Sequence, residues 1–405
     1  MNNMNIGKQH IYDLPENDIT WLGDYARKLE QEARAIGTPL PPAVRLQIGE
    51  PSFRTPEHIR LAAVRSIEQE PLTYAPPAGW PWLRELLAEK IQRINGYTVQ
   101  PENVTVTLGG TGALQTSLLA TVGEGDEVLI PDPGWPLYTI QLAACGAIPV
   151  RYPLDPNNEW LPDIASMERL VTPHTRLLLI NTPGNPTGAV FPPAVIADLL
   201  NFARRHHLYL LSDESYDQIV FEGQHVSPAT LLSPAEFEEG NFIGVYTFSK
   251  TYSMTGWRIG YVVAGTRLSK TIGDVVNGCY TNIATPIQRA AVAALTGPQE
   301  CVGEMRNAYH RRRDITIHLL QEYGRYIYTP HGAFYALIDV RGKHGESRRG
   351  RQFALDLLRE RNVAVAPGSG FGSVSAEYVR ISLAASEGEI KRGVREICLF
   401  ADRGV

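Results

Sequence analysis

Gly244-Val245-Tyr246-Thr247-Phe248-Ser249-Lys250 is a short, mostly apolar run that closes on a lysine, and how that lysine is explained decides how the chain is read. A run of this length between polar segments predicts a buried strand. Lys250, set between Phe248-Ser249 and Thr251-Tyr252, is poorly explained as a solvated charge. Burial disfavours the ammonium form, so an amine in a partly buried crevice becomes a nucleophile suited to an imine with an aldehyde cofactor. Once displaced, the same amine is placed to carry a proton.

Similar runs lie on either side. Val104–Leu108, Glu127–Ile130, Arg176–Ile180, Leu208–Leu211 and Gly260–Val263 each predict a buried strand, with helical patterns between several of them, as in Gly112–Val122 and Pro193–His206. This alternation predicts an α/β unit around a mostly parallel sheet. Further on, Asn307–Glu322 and Gln352–Arg361 predict helices, and Ala333–Val340 and Tyr378–Leu383 predict strands of a smaller α+β unit. Asp24–Ile36 has helical periodicity and is expected to pack with it. The expected division is a large domain over residues 52–298 and a small one built from residues 1–51 and 299–405.

The polar residues of interest fall at predicted strand ends. Gly110-Thr111-Gly112 follows one strand, Asn181–Gly188 another; Asp213 closes a third with Tyr216 close behind, and Arg258 comes eight residues after Lys250. In an open α/β sheet the ligand crevice lies beyond the carboxyl ends of the strands, so these segments are expected to converge. Gly110, Thr111 and Gly112 open a helix whose free N–H groups suit a phosphate, and Arg258 adds paired donors. Asp213 suits the task of keeping a pyridine nitrogen protonated, which makes the ring an electron sink. Asn185 and Tyr216 would hydrogen-bond the ring's phenolate oxygen, and Trp135 would lie flat on the ring. Taken singly, each residue has an ordinary reading: a tight turn, a surface ion pair, a helix cap, an Asx turn, a helix-face tyrosine, a core tryptophan.

Composition excludes several other classes. The 405 residues carry 43% hydrophobic and 20% charged residues with a net charge of −5, which leaves no basic footprint for nucleic acid. Cys145, Cys279, Cys301 and Cys398 form no metal-ligand or disulfide spacing, and a cytoplasmic setting is expected. No stretch has the length and apolarity of a membrane span, and Met1–Tyr12 is polar, so no signal peptide is expected.

The motifs resemble those of the fold-type I, class I aminotransferases, especially the bacterial-type aspartate aminotransferase subgroup. Tyr74–Gly79 with Leu83-Arg84-Glu85, Asn181–Gly188, Ser212–Gly223, Ser249–Tyr261, Gly332–Tyr335 and Val379–Ser382 carry the resemblance, which runs from about Leu46 to Leu383. It implies the pyridoxal-phosphate (PLP) transferase fold type I with a mostly parallel seven-stranded sheet. PLP would be held on Lys250 as a Schiff base. The resemblance further implies that Arg380 grips the substrate α-carboxylate, with Gly49, Asn185 and Trp135 nearby, and that Ser249 is a secondary phosphate ligand. Tyr74 is implied to reach the phosphate of a neighbouring subunit, hence a homodimer with shared sites.

The sequence also departs from the subgroup. Aspartate-specific members often carry a lysine where this chain has Thr111, which weakens the case for a dicarboxylic substrate. Glu16 and Asp18, in a distinctive N-terminal segment, suggest a basic or guanidino side chain instead. Trp80 and Trp82 are unexpected and point to a reshaped interface or pocket. Loss of an α-proton can lead to transamination, racemisation, or loss of a β- or γ-substituent with possible cyclisation; family frequency favours an aminotransferase, with a PLP-dependent lyase or cyclase as the alternative. A non-catalytic scaffold is disfavoured because Asp213, Lys250, Arg258 and Arg380 are all present.

Overall fold

The computed structural model describes residues 18–35, 42–343 and 345–403. Glu16 lies outside the described residues, and Asp18 opens the first helix, Asp18–Ala35.

Among the described residues thirteen strands form three sheets. The largest contains β2 (Val104–Thr107), β3 (Glu127–Asp132), β4 (Ile148–Asp155), β5 (Leu161–Pro162), β6 (Thr175–Asn181), β7 (Tyr209–Asp213), β8 (Phe242–Thr247) and β9 (Gly260–Ala264). Their order is β2-β9-β8-β7-β6-β3-β4-β5. Neighbours from β8 to β4 run parallel, whereas β9 is antiparallel to both β8 and β2. The expected mostly parallel sheet is present with eight strands rather than seven. The extra one, β5, arises because the chain doubles back after β4, with Asn158 and Trp160 N–H groups donating to Asp155 O, and lays two residues on the sheet edge.

Because β2, β3, β6, β7 and β8 all point one way, Thr107, Asp132, Asn181, Asp213 and Thr247 end on one edge. Cross-strand partners confirm it: Asn181 sits opposite Asp213, and Gly260 sits opposite both Thr107 and Thr247. The strands are apolar on both faces because helices cover both, as in buried parallel sheets.

The remaining strands are β1 (Val44–Arg45), β10 (Tyr335–Asp339), β11 (Val363–Ala364), β12 (Ala366–Pro367) and β13 (Tyr378–Ser382). β1 pairs with β11, and β10-β13-β12 form an antiparallel sheet. One buried apolar cluster unites Leu22, Leu46, Tyr309, Phe353, Ile381 and Ile397, residues from both ends of the chain. Asp132 joins this region to the large sheet: its carboxylate accepts the Ser373 N–H (3.1 Å), the Ser373 hydroxyl (2.8 Å) and the Val374 N–H (3.1 Å).

Trp80 and Trp82 stack on each other. Trp80 Nε1 donates to Thr285 Oγ1 (2.9 Å) and the Arg289 guanidinium lies 4.1 Å from the Trp82 ring centre, so the pair clamps helix Pro81–Lys90 to helix Thr285–Thr296. Among the described residues no helix is long and apolar enough to cross a membrane.

Candidate active site

A cavity of about 400 Å³ opens at the carboxyl edge of the large sheet. Gly49, Gly110, Thr111, Trp135, Asn185, Asp213, Tyr216, Ser249, Lys250, Arg258 and Arg380 all line it, together with Ile48, Glu50, Leu114, Tyr138 and Tyr335. One residue expected there is not among the lining. Gly112 already donates its N–H to Leu108 O (3.3 Å), as an ordinary second-turn helical residue does, and lies outside the lining. Tyr74, whose expected place is the site of a neighbouring subunit, is 85% exposed and outside this cavity.

Lys250 sits on a one-turn helix, Phe248–Thr251, rather than on the strand itself. The reason is local: Thr247 Oγ1 accepts the Ser249 N–H (3.2 Å) and caps the turn immediately after β8. Lys250 is half-buried and its Nζ donates to Gly49 O (2.8 Å). Burial first, then the nearby Arg380 and Arg258 charges, pull its pKa down to about 8 against the partial opposition of Glu50 and Asp213.

Asp213 is buried at the end of β7. Its carboxylate accepts the Tyr138 hydroxyl (2.6 Å), the Ser215 hydroxyl (2.6 Å) and the Ser215 N–H (3.1 Å). Burial pushes its pKa up, while the Ser215 and Tyr138 hydrogen bonds pull the other way. Among the described residues no cation pairs with it, so the carboxylate is desolvated and held ready for a cationic partner.

Gly110 and Thr111 lie in the first turn of helix Gly109–Thr121, whose N-terminus has no side-chain cap. Gly109 has φ +70°, and a Cβ there would meet the Arg258 guanidinium at 2.9 Å, so only glycine lets the arginine lie against the helix start. Gly260, at the head of β9, is needed for a matching reason: a Cβ would strike the backbone of Gly109 and Gly110. Free N–H groups, the helix dipole and a guanidinium thus meet at one spot, an anion cradle of phosphate type. Ser249 Oγ is beside it, 2.9 Å from Thr247 Oγ1.

Arg380, on β13, is buried. One Nη donates to Asn185 Oδ1 (3.1 Å), the other to Gln47 O, and Nε has no partner among the described residues. Asn185 is itself held by its N–H on Asn181 Oδ1 (2.8 Å). Burial without a carboxylate lowers the arginine's pKa. An incoming carboxylate would supply the missing counter-charge.

The side chains therefore fit PLP: an anion cradle, a depressed-pKa amine, a buried unpaired carboxylate and hydroxyl donors share one cavity. Tyr138, Ser215, Thr247 and Tyr335 were not singled out from sequence. Ser215 and Tyr335 fall inside quoted motifs, but nothing local marks Tyr138, which reaches Asp213 across 75 positions.

Fold and cavity together define a PLP-dependent enzyme of fold type I. Residues 41–397 match the family profile described as Aminotransferase class I and II. The chain is 38% identical over 363 residues to the aspartate/prephenate aminotransferase of Thermus thermophilus, covering 89% of this chain and 91% of that one. It also resembles the solved aspartate aminotransferase from Thermus thermophilus with maleate (35% identity, TM-score 0.88, covering 99% of this chain and 100% of that one). A third similar structure is the aromatic aminotransferase from Pyrococcus horikoshii (35% identity, TM-score 0.84, covering 88% and 95%). The chain belongs to the class I and II aminotransferase family and is a PLP-dependent aminotransferase.

Proposed function

We propose that this enzyme moves the amino group of an L-amino acid with a neutral, largely apolar or aromatic side chain, using Lys250, Asp213 and Arg380 as its working groups. The observation that carries this reading is the convergence of those three residues on one cavity. Bound PLP supplies an aldehyde for the amine and a ring that accepts electrons from the α-carbon. Gly110, Thr111, Ser249 and Arg258 hold its phosphate; Asp213 holds a proton on its ring nitrogen. Asn185 and Tyr216 donate to its phenolic oxygen, and Trp135 covers the ring. Arg380 binds the substrate carboxylate and so orients the α-carbon, and Lys250 Nζ takes the α-proton.

The side-chain preference rests on charge bookkeeping within the cavity. Its cations are Lys250, Arg258 and Arg380, and each has a role above. None among the described residues remains for a second carboxylate, whereas Ile48, Leu114 and Trp135 offer apolar contact. The relatives are named for aspartate, prephenate and aromatic substrates. A basic substrate would draw on Glu50, which lines the cavity but already accepts the Thr255 hydroxyl (2.7 Å), or on Glu16 and Asp18, whose side chains are not among those described.

A half-reaction panel tests this. PLP-loaded enzyme mixed with single amino acids and no keto acid should convert one equivalent of cofactor to pyridoxamine phosphate, fastest with phenylalanine or tyrosine. Aspartate reacting fastest would overturn the side-chain assignment, and arginine reacting fastest would restore the basic one. Continued turnover with PLP intact would mean elimination or cyclisation. In the same assay Arg380→Lys should lower kcat/KM by about 10²–10³-fold, mainly through KM, because a point charge replaces a two-donor fork in a buried site. An unchanged KM would remove Arg380 from carboxylate binding.

The chain acts as a homodimer in this reading. Tyr74 and Leu72 are exposed beside an apolar stripe, Leu61, Val64 and Ile67, on helix Glu57–Gln69, a surface suited to a second copy. If Tyr74 serves the neighbour's phosphate, mixing Tyr74→Ala with Lys250→Ala subunits creates hybrids with one intact site. Random mixing then restores about a quarter of wild-type activity. No recovery would place Tyr74 outside the shared site.

A further inference from the structure

Tyr335 heads β10 and is buried, yet it lines the cavity and touches three of its working parts. The Arg380 guanidinium lies 4.4 Å from its ring centre, with the Phe371 ring 4.9 Å from the same guanidinium. The Tyr335 hydroxyl lies 2.9 Å from the Tyr216 hydroxyl. A Cβ at Gly49 would collide with that hydroxyl, so Tyr335 also packs against the backbone whose carbonyl receives Lys250 Nζ.

We propose that Tyr335 is a positioning residue with two separable tasks: its ring seats Arg380 for the carboxylate, and its hydroxyl aims the Tyr216 proton at the cofactor. This rests on the assignments of Arg380 and Tyr216 made above. The proton count sets the direction of the second task. A phenol has one O–H to donate and can also accept. If Tyr216 spends its proton on the cofactor's phenolic oxygen, its own oxygen is left to accept, and Tyr335 must be the donor between them. Donation from Tyr335 polarises Tyr216 and strengthens its hydrogen bond onward. The ring task needs no hydroxyl: a guanidinium over an aromatic face is held by the ring quadrupole, most strongly where water is excluded.

The two tasks predict different responses. Tyr335→Phe keeps the ring and should leave KM for the amino acid within about twofold, while lowering kcat. In the same variant the pH midpoint of the visible absorbance change of the PLP-loaded protein should rise by about half a unit, because weaker donation to an oxyanion favours its protonated form. Tyr335→Leu removes the ring and should raise KM by roughly tenfold. Tyr216→Phe is the reference and should move the midpoint upward at least as far. If Tyr216→Phe moves the midpoint and Tyr335→Phe does not, the proposal is overturned and the cofactor assignment stands. If neither moves it, Tyr216 does not face the cofactor and both readings fall. Should Tyr335→Leu fail to fold, the Tyr335→Phe titration still decides the hydroxyl's role.

Discussion

Lys250→Ala is expected to abolish the visible absorbance band of the PLP-loaded protein and to lower turnover by about 10⁴-fold, the upper end of what a positioned proton carrier contributes. Two separate losses add in this variant, the amine that ties down the cofactor and the base that reaches the α-proton. Fold and cavity should persist, since among the described residues Lys250 Nζ makes a single hydrogen bond, to Gly49 O. Circular dichroism would check that. The wild-type amine also carries a pH signature. With its pKa drawn down to about 8, the neutral fraction is about a tenth at pH 7 and about half at pH 8. The rate at which cofactor-free protein takes up PLP should therefore rise through pH 8 and level off, whereas an ordinary lysine would keep gaining toward 10.5. The linkage has the same sign: between those two values the unfolded chain holds a proton that the folded chain has released, so stability of the cofactor-free protein rises with pH there. A variant that retains the visible band would show that Lys250 is not the attachment point.

Asp213→Asn should be the second most damaging change. It keeps the shape of the side chain but removes the charge that would hold a proton on the ring nitrogen, and kcat should fall by about 10²–10³-fold or more, as when a fixed electrostatic group is lost from a dry site. Stability should respond in the opposite direction. Burial raises the carboxyl pKa in the cofactor-free fold, with the Ser215 and Tyr138 hydrogen bonds only partly offsetting it. Above the ordinary value of 3.8 the folded chain then holds more protons than the unfolded one, so Asp213 costs the cofactor-free protein stability as pH rises through that window. The asparagine variant should lose that dependence and match or exceed the wild-type Tm at neutral pH without cofactor, while gaining less from added PLP. A kcat within tenfold of wild type would place Asp213 elsewhere than opposite the ring nitrogen.

Much of this was legible from local pattern. The alternation of apolar runs and helical stretches was enough for the α/β class, because burial on both faces imposes it on a parallel sheet. Lys250, Asp213, Asn185 and Arg258 were visible because each breaks that pattern at a strand end or just beyond it. Other features left no local mark. β5 is two residues long and exists only because the chain reverses against β4. Trp80 and Trp82, conspicuous as sequence, turn out to clamp two helices.

By itself, then, the sequence determined the class of fold and the candidate residues at the strand ends, Lys250, Asp213 and Gly110-Thr111, since each follows from residue type and from its place at the end of a strand or in the exit loop. Tertiary structure alone decided which side chains meet across strands. Tyr138 reaches Asp213, Tyr335 joins Tyr216 to Arg380, and Asp132 ties Ser373 to the large sheet. Those contacts depend on strand order and on how the chain's two ends pack together, and pairing between segments remote in the sequence leaves no periodicity in either one.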